Sequence, residues 1–168
     1  MKNIELKIKV SDFKEIEKSL KLIGAKYCGV FNQRDTYFNC VKGRLKVREI
    51  NNKKFELIFY QRLDKLVNKL SNYLIMSLDR VQLRLLKNIL ALLLGIKGIV
   101  SKNRKLWLFK NTRIHLDDVD KLGNFLELET VLDKISKKEG NIEYLEIYNL
   151  LELNRFEKIK KSYSDLMI

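Results

Sequence analysis

The chain has 168 residues, 46% of them apolar and 33% charged, with 34 Lys and Arg against 21 Asp and Glu for a formal charge of +13. That is enough chain for a single domain, residues 1–168, built on one core. The longest uncharged apolar run, Ile89 to Ile96, is far shorter than the roughly 18–20 residues a membrane-spanning helix needs, which excludes a membrane partner of that kind. Met1-Lys2-Asn3-Ile4-Glu5 has no apolar signal-peptide core, so a cytoplasmic protein is expected. Cys28 and Cys40 have no metal-ligand spacing, and a chain of this size needs no disulfide. The positive charge points to an anionic partner: nucleic acid, an anionic membrane surface or a polyphosphate. Abundant Lys, Asn and Ile with no proline indicate a compositional bias that accounts for part of it, so the placement of the cations matters more than their total.

Ile4-Glu-Leu-Lys-Ile-Lys-Val10 alternates, with Ile4, Leu6, Ile8 and Val10 on one face and Glu5, Lys7 and Lys9 on the other, as in a strand. Ser11-Asp12 offers an N-cap, and Phe13, Ile16, Leu20 and Ile23 follow helical spacing to a stop at Gly24. Gln33–Asn39 reads as a second strand. A turn at Lys42-Gly43 leads to Arg44–Arg48, where Arg44, Lys46 and Arg48 share a face. Asn51-Asn52-Lys53 turns the chain into Lys54–Arg62, with Glu56, Ile58, Tyr60 and Arg62 together and Phe55, Leu57, Phe59 and Gln61 opposite. Leu63–Ser77 has no sustained period and reads as a loop or irregular strand; its Lys69, Ser71 and Tyr73 are placed to close over a ligand.

Asp79 opens a strongly apolar helix to about Leu94, closed by Gly95. Ile99–Phe109 gives a strand pair or one long strand with Lys102 and Arg104 on one face. Arg113–Thr130 reads as a hairpin turning at Asp120-Lys121-Leu122-Gly123, with Arg113, His115 and Asp117 sharing a face and Glu127 and Glu129 sharing another. From Ser136 a helix carries Ile142, Leu145, Tyr148 and Leu151, and a second is expected over Phe156–Lys160.

Strand after strand thus carries charge on alternate positions. Carboxylates at i and i+2, as in Glu127 and Glu129, repel unless a divalent cation or a Lys/Arg cluster lies between them. Two geometries satisfy the pattern. An open antiparallel sheet sets its apolar face on helices and its charged face in water. A closed barrel turns the charges inward, which is too costly for a dry interior but reasonable for a wet one holding a charged ligand and its metal. In that lumen the cations cradle phosphate oxygens and the carboxylates hold Mg²⁺ or Mn²⁺. Neither a Gly-x4-Gly-Lys-Ser/Thr nor a Gly-x-Gly-x-x-Gly loop is present to bind phosphate instead.

A series of short segments carries a resemblance. Asn3-Ile-Glu-Leu-Lys7, Gln33-x-Asp-Thr-Tyr-Phe38, Gly43-Arg-Leu-Lys-Val-Arg-Glu49 and Glu56-Leu-Ile-x-Tyr-x-Arg62 come first. Val100-x-Lys-x-Arg104 and Arg113-Ile-His-Leu-Asp-x-Val-x-x-Leu-Gly-x-Phe-Leu-Glu-Leu-Glu129 follow, and Ser162-Tyr-Ser-Asp-Leu166 closes the series. In this order they resemble the CYTH domain of class IV adenylate cyclases and thiamine triphosphatase-like enzymes, the triphosphate tunnel metalloenzymes. The resemblance implies an α+β fold: a closed eight-stranded antiparallel β-barrel, or tunnel, with helices packed outside. It implies that Glu5, Glu127 and Glu129 bind the divalent metal, Mg²⁺ or Mn²⁺. Lys7, Lys46, Arg48, Arg62, Lys102, Arg104 and Arg113 would then bind the triphosphate. Lys7 also belongs to the implied catalytic set, together with Asp117, which would orient a nucleophile or a metal-bound water. The chain departs from the family's Glu-x-Glu-x-Lys signature at Asn3, an amide that contributes no charge to a metal site.

Three functions follow in order of preference. The first is a cyclase converting ATP to cyclic AMP and pyrophosphate. The second is a triphosphatase hydrolysing tripolyphosphate, thiamine triphosphate or a nucleotide. The third, motivated by Asn3 and the charge, is a non-catalytic module binding triphosphate or RNA; RNA ranks lower because few aromatics interleave with the cations as stacking platforms. A homodimer is compatible with all three. His115, the only histidine, and Trp107 and Tyr60 read as structural before catalytic or base-contacting.

Overall fold

The computed structural model describes residues 2–62 and 69–167, with side chains for 2–61 and 72–167. Among them the chain runs β1 (Lys2–Lys9), α1 (Lys14–Leu22), β2 (Lys26–Phe38), β3 (Arg44–Ile50), β4 (Lys54–Arg62), β5 (Lys69–Leu78), α2 (Arg80–Leu94), β6 (Ile96–Phe109), β7 (Thr112–Val119), β8 (Gly123–Val131), α3 (Lys137–Leu150) and α4 (Tyr163–Leu166). The strands close into a barrel in the order β1-β5-β4-β3-β2-β6-β7-β8, each pair antiparallel and β8 returning to β1. The closed barrel rules out the open sheet.

Alternation decides what the wall separates. On β1, Ile4, Leu6 and Ile8 point outward, and Ile114, Leu116, Leu126 and Leu128 of β7 and β8 do the same. They pack under Ile16 and Leu20 of α1 and Tyr144 and Ile147 of α3, so the main hydrophobic core lies outside the barrel wall. Each fully buried Leu or Ile there contributes about 1.5–3 kcal/mol. A second cluster, Phe38, Val47, Phe55 and Leu83, sits beneath α2 on the outside of β2–β4.

Local chemistry sets the helix ends. Asp79 accepts from the Gln82 N–H while the Gln82 side chain accepts from the Asp79 N–H, and Ser136 and Glu139 make the same reciprocal cap on α3. Gly95 ends α2 at a φ of 74°, a left-handed geometry that favours glycine. Gly43 does related work before β3: its φ is 79°, and a Cβ there would lie 2.8 Å from the Tyr60 carbonyl oxygen.

Several expectations change. Strand β2 begins at Lys26, seven residues before the expected start, with a register shift between Tyr27 and Gly29. Residues 96–109 form one long strand, the second of the two alternatives expected there. Of the segment read as loop or irregular, residues 63–68 lie outside the described residues, and Lys69–Leu78 is strand β5, paired with β1 and β4. Its alternation is hidden because Tyr73 and Ile75 face inward while Leu74 and Met76, equally apolar, are exposed outward. The helix expected over Phe156–Lys160 is absent: a 3-10 turn at Leu153–Arg155 precedes an extended segment. There Lys158 bridges to Ile8, and the Ile159 N–H donates to the Lys7 carbonyl at 2.8 Å. In α3, Ile142 and Leu145 are 60% and 51% exposed, and Glu143, Tyr144 and Ile147 face the wall instead. The Glu143 carboxylate accepts from the Asn111 N–H and amide and from the Thr112 hydroxyl, tying the helix to the start of β7. No helix among the described residues is long and apolar enough to cross a membrane.

Candidate active site

The inward positions enclose a cavity of about 600 Å³. Glu5, Lys7, Lys46, Arg48, Lys102, Arg104, Arg113, Glu127 and Glu129 all line it, and Asp117 lies within bonding reach of two of those cations. Arg62 ends β4 opposite Ser71, but its side chain lies outside the described residues, as do those of Lys69 and Ser71.

The cations are arranged as two matching triads. Arg48 sits directly across from Asp35 on the β2–β3 pair and donates to it through Nε at 2.7 Å and Nη2 at 2.8 Å; Lys46 Nζ donates to the same carboxylate at 2.7 Å. On the β6–β7 pair, Arg104 faces Asp117 and donates through Nε and Nη2 at 2.6 Å each, while Lys102 Nζ donates at 2.8 Å. In both, a Lys-x-Arg strand shares one aspartate on its neighbour, so each triad keeps one surplus positive charge. Burial raises the cost of ionising Asp35 and Asp117, but the Arg and Lys contacts outweigh it and hold both well below the usual carboxylate range. The surplus shows on the lysines. Burial and then the adjacent Arg48 push Lys46 down to about 7, and burial with Arg104 lowers Lys102 in the same way.

Near the C-terminus, Ser162 and Tyr163 line this lumen. Tyr163 packs edge-on against Phe125 and joins a buried cluster with Tyr37, Val100 and Val119. Its hydroxyl donates to Asp117 at 3.0 Å, and its ring lies 3.6 Å beneath Lys7 Nζ, a cation–π contact. Lys7 also pairs with Glu127 at 3.2 Å. Asp165 fixes the segment by accepting from Arg44 at 3.0 Å and Lys97 at 2.5 Å while capping α4 with Ser162.

The carboxylates gather on β1 and β8. Glu127 accepts from Arg104 at 2.6 Å, and Lys7 and Lys102 hold it ionised against the upward pull of burial. Glu129 lies across from Glu5 on one side and Arg113 on the other. The Tyr73 hydroxyl donates to Glu5. His115, opposite Glu127, joins Glu127 and Glu129 in a group whose ligand atoms lie within 4.8 Å of one another. Burial, and after it Arg104, keeps the imidazole below its ordinary pKa and hence neutral near pH 7. This donor set, with an orphaned ring nitrogen at His115 Nδ1, fits a divalent cation. Asn3 is 1% exposed and lines the same cavity, with neither amide atom hydrogen-bonded among the described residues.

The lumen is not charged throughout. Phe31, Ile50, Ile75, Leu106 and Leu108 line it too, and Tyr60 stacks on Tyr73 at 5.1 Å. Trp107 instead packs in the outer core against Tyr27. Sequence reasoning missed the part Asp35 plays, since it depends on which strand pairs with β2. The place of His115 was within reach, because a turn at 120–123 sets it opposite Glu127.

An antiparallel barrel whose buried charges face inward, with its apolar core outside, defines a tunnel fold with a charged lumen. The CYTH domain family profile matches residues 1–163, and the chain belongs to that family. It is similar, at 27% identity over 99% of its length and 98% of the relative's, to a Methanocaldococcus jannaschii protein with the provisional name adenylate cyclase MJ0240. The solved structure of PH1012 from Pyrococcus horikoshii superposes with a TM-score of 0.83 at 28% identity, covering 98% of both chains. The Hippeastrum protein HpAC1, in which triphosphatase activity dominates, shares the fold at 14% identity and a TM-score of 0.64, covering 98% of this chain and 94% of its own.

Proposed function

We propose that this chain is a metal-dependent enzyme acting on a triphosphate held in the lumen, and that its reaction is conversion of ATP to cyclic AMP and pyrophosphate. The observation that carries this reading is the pair of Lys–Asp–Arg triads, each with one surplus positive charge, in one closed lumen with a carboxylate–imidazole cluster. A polyphosphate with its metal is the ligand whose charges complement both.

The residues take the following parts. Arg48 spends two of its five N–H donors on Asp35, leaving three for phosphate oxygens. Lys46 and Lys102 add point charges beside the two arginines, and Arg113 extends the row. Lys7, steadied by Glu127 and the Tyr163 ring, is placed to meet negative charge developing at the reacting phosphorus. Asp117 is 0% exposed and accepts from Lys102, Arg104 and Tyr163, so it acts by positioning these groups. Glu127 and Glu129, with Glu5 alongside, would hold a divalent ion, Mg²⁺ or Mn²⁺, whose charge would acidify the attacking hydroxyl and neutralise the leaving group. The ribose 3′-oxygen bonds to the α-phosphorus as the bond to the bridging oxygen of the β-phosphate breaks; the hydroxyl proton passes to solvent and pyrophosphate leaves. Fixed cations along the chain favour that charge redistribution without reorganising.

A nucleotide is preferred to bare tripolyphosphate because the lumen has an apolar and aromatic wall that only a base and sugar would use. Its volume also lies in the range that encloses drug-sized ligands. The provisional cyclase name of the archaeal relative points the same way. The test is a product assay with ATP and with tripolyphosphate, each in Mg²⁺ and in Mn²⁺. Cyclic AMP with equimolar pyrophosphate is the expected result. Orthophosphate release instead reassigns the chain as a triphosphatase, and no turnover with salt-sensitive RNA binding makes it a binding module.

A further inference from the structure

His115 is only 4% exposed, and its Nδ1 has no hydrogen-bond partner among the described residues. Native proteins rarely leave a buried ring nitrogen orphaned, and each such atom calls for a ligand. Its nearest carboxylate oxygens are Glu129 Oε1 at 3.6 Å and Glu127 Oε2 at 3.9 Å, both too long for hydrogen bonds. Two donors held roughly 2.1 Å from one ion lie about 3.0 Å apart at a right angle and about 3.4 Å at the tetrahedral angle. The observed separations are therefore wider than an ion would draw them, by less than about 1 Å, so a small inward shift of the two carboxylates would close the site.

We propose that His115 is a nitrogen ligand of the divalent cation, completing with Glu127 and Glu129 a mixed nitrogen–oxygen site that selects Mn²⁺ and similar transition ions over Mg²⁺. The proposal rests on the metal-dependent reading above and names its metal class. The chemistry follows from the donors. Mg²⁺ favours an all-oxygen shell and dehydrates reluctantly, whereas imidazole suits first-row transition ions. Asn3 lines the same lumen with an uncharged amide, so it adds no further carboxylate to favour an all-oxygen shell.

The experiment uses Mn²⁺ alone, added to the full chain and read by electron paramagnetic resonance. Electron spin-echo modulation in the wild type should show coupling to ¹⁴N of a bound imidazole. That coupling should vanish in His115→Gln, which keeps most of the side-chain volume, and in His115→Ala, with circular dichroism confirming the fold of each. Competition titrations should give a Mn²⁺-to-Mg²⁺ affinity ratio that falls on the order of tenfold or more in His115→Gln. Bound Mn²⁺ with no nitrogen coupling, or coupling that survives in both variants, overturns the assignment of His115. Turnover of ATP in that case would leave the proposed function standing without this ligand. Failure of Mn²⁺ to bind at all overturns the ligand and the metal site together.

Discussion

Replacing Asp117 with Asn removes one negative charge from a site with no solvent exposure while leaving its size unchanged. In the wild type that carboxylate accepts two bonds from Arg104 at 2.6 Å, one from Lys102 at 2.8 Å and one from Tyr163 at 3.0 Å. Asn offers one acceptor oxygen and turns an NH₂ toward groups that are themselves donors. Two buried cations lose their shared counter-ion, a loss of the kind that costs about 3–5 kcal/mol. For a chain of this length that is a fall in melting temperature of roughly 6–20 °C. Tripolyphosphate should then recover part of the loss, because an anion in the lumen supplies the charge the triad lacks. The assay is thermal and urea unfolding of wild type and Asp117→Asn with and without tripolyphosphate. A variant as stable as wild type would show that the triad does not depend on Asp117. A destabilised variant that tripolyphosphate stabilises no more than wild type would show that the freed cations do not face the anion.

Arg113 makes no hydrogen bond or ion pair among the described residues, so Arg113→Ala should leave stability within about 0.5 kcal/mol. The same change should weaken triphosphate binding roughly 10- to 100-fold, the worth of a charged hydrogen bond; an unchanged Kd would place it outside the cradle. Glu129→Ala should abolish metal-dependent turnover with the fold intact on circular dichroism, and retained activity would move the metal elsewhere. Lys46 sits near 7, so the free protein loses this ammonium as pH rises through neutrality, and binding an anion must then restore the proton. Calorimetry between pH 6 and 9 should show wild-type affinity for tripolyphosphate falling relative to Lys46→Arg, whose guanidinium does not titrate; parallel profiles would contradict this. Burial pulls Asp165 up, yet Lys97, Ser162 and Arg44 hold it below the usual carboxylate range. Its folded pKa lies beneath the unfolded value of about 4, so its stabilisation is present above that pH and is lost as pH falls below it. Asp165→Asn should therefore cost about 1 kcal/mol at pH 7 and progressively less below pH 4 in urea titrations.

The inward charges were legible because a strand's period of two survives any uncertainty about its partners: Lys46 with Arg48, Lys102 with Arg104 and Glu127 with Glu129 each had to share a face. Strand β5 was not legible because over Tyr73–Met76 both faces are apolar and the contrast vanishes. The segment after α3 was misread because its course is set by pairing with β1, some 150 residues away in sequence, and not by any local period. Asp35 was missed although it lies only 13 residues from Arg48, because nothing in Gln33-Arg-Asp-Thr fixes the register of β2 on β3, whereas the tight turn before β8 fixes that of Glu127.

Closure of the barrel also bears on how the charges are brought together. Strand β1 is flanked by β5 on one side and β8 on the other, with Asn3 opposite both Ser71 and Val131. A chain emerging from its N-terminus therefore carries an open edge until its last strand is made, a non-local arrangement of the kind that folds slowly. The lumen cations would be hard to assemble if all met unaccompanied. Four of them do not, because Asp35 reaches Lys46 and Arg48 across one neighbouring strand pair, and Asp117 reaches Lys102 and Arg104 across another. Each half of the wall arrives with its own counter-ion, and the seam that joins them at β1 and β8 brings Lys7 to Glu127.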